Sequence, residues 1–165
     1  MTARDSAGGG LAELASVVWC PGGAASHERD AAAEIAHSLA LFCDEILWAG
    51  LAPATGVPGH AIEVASPGGA LDALVAGLAA TDRPRLLFAA AAEAPRDPDA
   101  LLALLAHPRC DLVWQSDREG TDPVLLLCAR DAVTEAAIAQ RKQGECGLSG
   151  LIECVDAVRF AGLAD

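Results

Sequence analysis

Apolar and polar positions along the chain change period in short blocks. Ser16-Val17-Val18-Trp19-Cys20 is a β-branched, strand-like run that stops at Pro21-Gly22-Gly23. From about Glu28 to Phe42 the apolar positions Ala32, Ile35, Ala36, Leu39 and Phe42 recur every three or four residues, which predicts a helix with one buried face. Glu45 to Ala49 reads as a strand, and the Pro/Gly-rich stretch Leu51 to Gly59 as a connector. A weaker strand follows at Ala61 to Ala65, then Ser66-Pro67-Gly68-Gly69 and a helix over Ala70 to Ala80 with Leu71, Leu74, Val75 and Leu78 on one side.

Arg85 to about Ala91 is apolar without alternation, as expected of a central parallel strand covered on both faces. Asp97-Pro98 is a good helix start, an acid at the cap followed by Pro at the first helical position, and the helix runs to Ala106 before His107-Pro108. Asp111 to Gln115 and Val124 to Ala129 read as strands around a polar turn, either a hairpin or a pair flanking an excursion. A helix over Asp131 to Gln143, a short helical piece near Leu148 to Glu153 and a strand over Ala157 to Phe160 complete the chain.

Strand, Gly-rich turn, helix and strand in repetition predict an α/β fold: a three-layer, Rossmann-like sandwich with a mostly parallel sheet and helices on both faces. The 165 residues fit one domain over residues 1–165, with residues 1–14 expected as a weakly ordered N-terminus.

Composition narrows the chemistry. The chain is 53% hydrophobic, enough to bury a core and exclude disorder, but only 4% aromatic with no Tyr, so the core must be built from many small contacts. Acidic residues outnumber basic ones 23 to 11, giving a net charge of −12, and the single lysine is Lys142. A nucleic-acid surface needs clustered Lys and Arg, and is excluded. Any anionic ligand must be held by backbone N–H groups or a few arginines.

No apolar run reaches the roughly 20 residues of a membrane span, and the polar, Gly-rich start lacks the features of a secretory signal. A cytoplasmic protein is expected. The six cysteines, Cys20, Cys43, Cys110, Cys128, Cys146 and Cys154, are dispersed without CxxC spacing and read as free, mostly buried thiols, with Cys146 and Cys154 the pair that stands apart near the C-terminus. The histidines His27, His37, His60 and His107 are equally scattered.

In an open parallel sheet, ligands bind beyond the carboxyl ends of the strands. Two places qualify. After the first strand, Pro21-Gly22-Gly23-Ala24-Ala25-Ser26 opens a helix, where backbone N–H groups and the helix dipole can meet a phosphate; a plain tight turn has the same signature. It is neither a P-loop nor a GxGxxG fingerprint. After the Arg85 to Ala91 strand stands Glu93, a carboxylate where the Mg²⁺ of a nucleotide could sit, or simply a solvated loop acid.

The run Leu86 to Pro95 followed by Asp97-Pro98 and a Leu-rich helix resembles the stretch in molybdenum-cofactor guanylyltransferases where an apolar strand ends in a C-D-M-P-like turn. Gly69-Ala70-Leu71 is similar to that family's G-P-L-A-G-I helix start, Cys43-Asp44-Glu45-Ile46-Leu47 to its V-D-E-V-L-V strand entry, and Asp122 to Leu127 to its H-P-L-C-A-L strand. The resemblance spans about Val17 to Phe160. It implies a nucleotide-diphospho-sugar transferase-like fold and nucleotidyl transfer, in which a phosphate on molybdopterin attacks the α-phosphorus of Mg-bound GTP and releases pyrophosphate. It implies Glu93 as the catalytic, Mg²⁺-holding acid, and Gly22, Gly23, Ala24, Ser26, Arg29, Gly69 and Arg118 around the nucleotide. The partners it implies are a nucleotide and a phosphorylated small molecule such as molybdopterin.

The sequence departs from that family where charge matters. The first loop of the family reads L-A-G-G-x-S-x-R-M-G-x-D-K; here His27 stands for the Arg and no Lys follows, so Arg29, Arg96 or Arg118 would have to supply the cations. Glu replaces Asp at position 93, and the family's F-x-N-x-N-T-P-E-D-L end is reduced to Phe160-Ala161-Gly162-Leu163-Ala164-Asp165. Three readings stay open: a nucleotidyltransferase, a non-catalytic homologue serving as an accessory module in cofactor maturation as a homodimer or with a molybdoenzyme-maturation partner, and a doubly wound small-molecule binder unrelated to nucleotides.

Overall fold

The computed structural model describes residues 13–65, 68–91, 94, 98–107, 110–116 and 123–160. Twelve elements follow one another: β1 (Leu14–Cys20), α1 (Ser26–Leu39), β2 (Glu45–Gly50), β3 (His60–Ile62), α2 (Ala70–Ala80), β4 (Arg85–Ala90), α3 (Pro98–Leu105), β5 (Leu112–Ser116), β6 (Pro123–Ala129), α4 (Arg130–Lys142), α5 (Ser149–Cys154) and β7 (Ala157–Arg159). Each block read from the hydrophobic pattern is present, with shifted ends. β1 begins at Leu14, which is 2% exposed. α1 starts at Ser26 and stops at Leu39, leaving Phe42 in a turn. Asp97, the expected cap of α3, lies outside the described residues.

All seven strands form one sheet in the order β3-β2-β1-β4-β6-β5-β7. β1 pairs parallel with β2 and β4, β2 with β3, and β5 with β7. β6 alone runs the other way, antiparallel to both β4 and β5. The cause is connection length: α3 carries the chain from β4 past one strand position to β5. Only six residues separate Ser116 from Pro123, too few for a parallel crossover, so β6 returns antiparallel and fills the gap.

Alternating strand positions feed two cores. Val18, Leu87, Leu125 and Leu127 face α1 and α3, where Ile35, Leu39, Leu101 and Leu104 are buried. Val17, Phe88, Leu126 and Cys128 face α2, α4 and α5, meeting Leu71, Leu74, Val133 and Leu151. The sandwich therefore has three layers. Close approach compensates for the scarcity of large side chains: Gly77 of α2 lies so near β1 that a Cβ there would overlap Val17 Cγ2. Among the described residues no helix is long and apolar enough to cross a membrane.

Candidate functional site

The direction of the winding changes at β1. From β1 the chain moves through α1 to β2 and β3 on one side, then returns through α2 to β4 on the other side. α1 and α2 cover opposite faces of the sheet, so the ends of β1 and β4 lie at the switch point where an open α/β sheet has its ligand crevice. The last carbonyls of β1 pin both walls: Leu51 N–H donates to Cys20 O at 2.9 Å, and Ala91 N–H to Trp19 O at 3.0 Å. Gly50, at φ +95°, has no room for a Cβ, which would overlap the Cys20 carbonyl.

The first loop closes as a tight turn, with Ala24 N–H on Pro21 O at 3.0 Å. Gly22 and Gly23 are exposed, and a Cβ on either would meet nothing within 4 Å. Neither lies at positive φ. Ser26 opens α1 and is exposed. The helix start is satisfied from within: Ala25 N–H donates to Glu28 Oε2 at 2.6 Å, placing a carboxylate against the positive end of the helix dipole. Arg29 turns back, its Nε donating to Ala24 O at 3.2 Å. Both charges are felt by Cys20, whose thiol is pushed up first by burial, then by Glu28, with Arg29 opposing.

The second wall is the start of α2. Gly68 and Gly69 N–H both donate to Asp72 Oδ2, at 3.2 and 3.3 Å. The other oxygen, Oδ1, pairs with Arg141 Nε of α4 at 2.8 Å, with the Asp72 side chain 6% exposed. Leu71 N–H donates to Cys146 O at 3.0 Å, and a Cβ on Gly69 would come within 3.0 Å of the same carbonyl. Gly69 is therefore held between its own helix and the loop after α4. Trp19 Nε1, near the end of β1 on the α2 side, is buried with no hydrogen-bond acceptor.

Of the residues singled out from sequence, the structure brings Gly22, Gly23 and Ala24 of the first loop together with Ser26 and Arg29 of the first turn of α1, and puts Gly69 at the start of the helix on the opposite face. Glu93, Arg96 and Arg118 lie outside the described residues; Glu93 follows Ala91, the residue pinned to the end of β1, by two positions. Among the described residues no group of three or more His, Cys, Asp or Glu side chains could hold a metal ion. A pocket of ≈ 330 Å³ lined by Glu13, Arg85, His107, Cys110 and Asp131 lies at the opposite end of the strands, away from the crevice. Glu28, Asp72 and Arg141 were not foreseen as part of this site. The acid three residues into each helix, Ala25-x-x-Glu28 and Gly69-x-x-Asp72, was the available signal; nothing in the spacing marks Arg141 as the partner.

No protein-family model and no curated protein matches the sequence. Solved structures do match in fold. A protein of Aquifex aeolicus superposes with a TM-score of 0.71 over 89% of this chain and 85% of its own, at 8% identity. The 2-C-methyl-D-erythritol 4-phosphate cytidylyltransferase of Thermus thermophilus gives 0.62 over 92% and 90%, at 15% identity. A nucleotidyl transferase of Methanothermobacter gives 0.62 over 90% and 88%, at 14% identity. The chain thus shares the three-layer α/β fold of these proteins, the fold that its sequence resemblance implied.

Proposed function

We propose that the crevice beyond β1 and β4 binds a nucleoside triphosphate, and that the chain is a nucleotidyltransferase acting on a phosphorylated small molecule, with molybdopterin phosphate and GTP the pair its sequence resemblance favours. The observation that carries the reading is the open space before Gly22 and Gly23, in a loop that enters a helix at the strand-order switch point. Packing and backbone conformation do not require glycine at either position, whereas close approach of phosphate oxygens does.

In this reading Gly22, Gly23, Ala24 and Ser26 line the phosphates, Arg29 supplies charge after leaving Ala24 O, and Gly69 forms the wall against the nucleoside. Glu93 and Arg118, which follow β4 and β5 in the sequence, would supply the acid and a further cation. Mg²⁺ is bound through one or two carboxylates and substrate phosphates, so a single acid at Glu93 fits an ion delivered with the nucleotide. Such an ion would neutralise charge on the transferring phosphate. The protein's own part is to hold the α-phosphorus in line with the acceptor oxygen and to let pyrophosphate leave.

A second reading, a non-catalytic module that retains the crevice, is favoured by one specific feature. The Glu28 carboxylate already occupies the N-terminus of α1, and Arg29 is turned onto a carbonyl. Titration calorimetry with GTP and with CTP, each with Mg²⁺, tests the nucleotide reading, and absence of binding at millimolar nucleotide refutes it. Turnover that disappears in Glu93→Ala decides for the enzyme against the module.

A further inference from the structure

Asp72 is an unusual residue to bury. It is one of three buried polar or charged side chains among the described residues, with Ser16 and Thr81, and the only ionisable one. A buried carboxylate without partners is costly, and this one has three N–H partners. Oδ2 accepts the N–H groups of Gly68 and Gly69, and Oδ1 meets the Arg141 guanidinium at 2.8 Å. Arg141 stands in the last turn of α4, a helix that packs beside α2 but reaches the same end of the sheet from the opposite direction in the chain. Immediately after it, the loop through Cys146 returns to accept Leu71 N–H and to press on Gly69.

We infer that Asp72 and Arg141 form a positioning pair that fixes the Gly68-Gly69 wall of the crevice and so sets how tightly the nucleoside half of the ligand is held. This rests on the nucleotide reading given above. With both oxygens engaged by N–H groups, Asp72 is committed to the wall, and Arg141 is committed to Asp72 and does not neutralise ligand phosphate. The pair couples the wall to α4 and to the 144–148 loop; the first loop, Pro21 to Ser26, shares no hydrogen bond with it. Its loss should therefore be felt by the nucleoside and not by the phosphates.

The test compares Mg-GTP with Mg-pyrophosphate in titration calorimetry on wild type, Arg141→Gln, Arg141→Lys and Asp72→Asn, with thermal unfolding as a check of the fold. Arg141 is 39% exposed in its side chain and Arg141→Lys keeps a cation opposite Asp72, so a folded variant of the pair is available even where Asp72→Asn unfolds the chain. Arg141→Gln is expected to weaken Mg-GTP about tenfold or more, with Arg141→Lys recovering most of the loss and Mg-pyrophosphate unchanged throughout. Equal losses for both ligands, or none for either, in a folded Arg141→Gln overturn the pair's role and leave the nucleotide reading standing. Wild type that binds neither ligand overturns the nucleotide reading and this inference with it.

Discussion

Glu28 Oε2 accepts the Ala25 N–H at 2.6 Å, so the first turn of α1 carries its own anion at the place where a bound phosphate would lie. A carboxylate in that position stabilises the helix and competes with any external anion for the same positive end of the dipole. Glu28→Ala is expected to lower stability in urea unfolding by ~1 kcal/mol, the usual size of a lost N-terminal cap. The same change should raise affinity for pyrophosphate by about fivefold, since the competing charge is gone. Glu28→Gln should keep most of the stability and show the same gain. Unchanged pyrophosphate affinity in both variants would show that the first turn does not receive phosphate.

The glycines at the crevice separate two causes of glycine. Gly50 is fixed by backbone: φ is +95° and a Cβ would overlap Cys20 O, so Gly50→Ala should cost about 3 kcal/mol or more and loosen the ends of β1 and β2 together. Gly22 and Gly23 have open space and ordinary φ, so Ala at either should leave stability within about 0.5 kcal/mol of wild type. A fall in nucleotide affinity in Gly22→Ala or Gly23→Ala, with unfolding unchanged, then reports a ligand approaching the backbone. Urea denaturation and calorimetry on the same preparations check both halves.

The fold was legible because its signals are local. The unbroken apolar run Leu86 to Ala89 said that β4 is covered on both faces, and each residue of it is fully buried. The three- and four-residue spacing of Ile35, Ala36 and Leu39 gave the inner face of α1. What the pattern could not give was the strand order beyond β4, because the place of β6 between β4 and β5 is decided by how far α3 carries the chain. The site was legible only in part. Gly22, Gly23 and Gly69 stand out in one dimension, but the contact between Asp72 and Arg141 joins residues 69 positions apart, and no local pattern encodes it.

Close packing of α2 on β1 makes a third prediction. Gly77→Ala forces a methyl into the space of Val17 Cγ2 and should cost ~1–3 kcal/mol by overpacking. Val17→Ala alone opens a cavity at a position with 0% exposure and should be destabilising in its own right. Combined, the two should lose clearly less than the sum of their separate effects, because the new methyl fills the vacated volume. Additive losses in urea unfolding would mean that the helix has moved away and not repacked.

The cysteines give a prediction in pH. Burial alone pushes the Cys128 thiol up to about 12, from an ordinary 9.0, and burial is also the largest cause of the upward shifts at Cys20, Cys43 and Cys110. A thiol whose value is raised by folding stays protonated in the folded chain while the unfolded chain ionises. Its contribution is fully present below pH 9 and is lost as the pH rises toward 12. For Cys128 the loss approaches about 4 kcal/mol at the upper end. Urea unfolding from pH 8 to 11 should therefore show stability falling steadily, with a smaller slope in Cys128→Ala despite its lower starting point. Cys146 and Cys154 are exposed. Iodoacetamide at pH 8 on the native protein should label these two first, with Cys20, Cys43 and Cys128 reacting only in denaturant, as read by peptide mass spectrometry. Native labelling of Cys128 at the rate of Cys146 would contradict its place under α4 in the core.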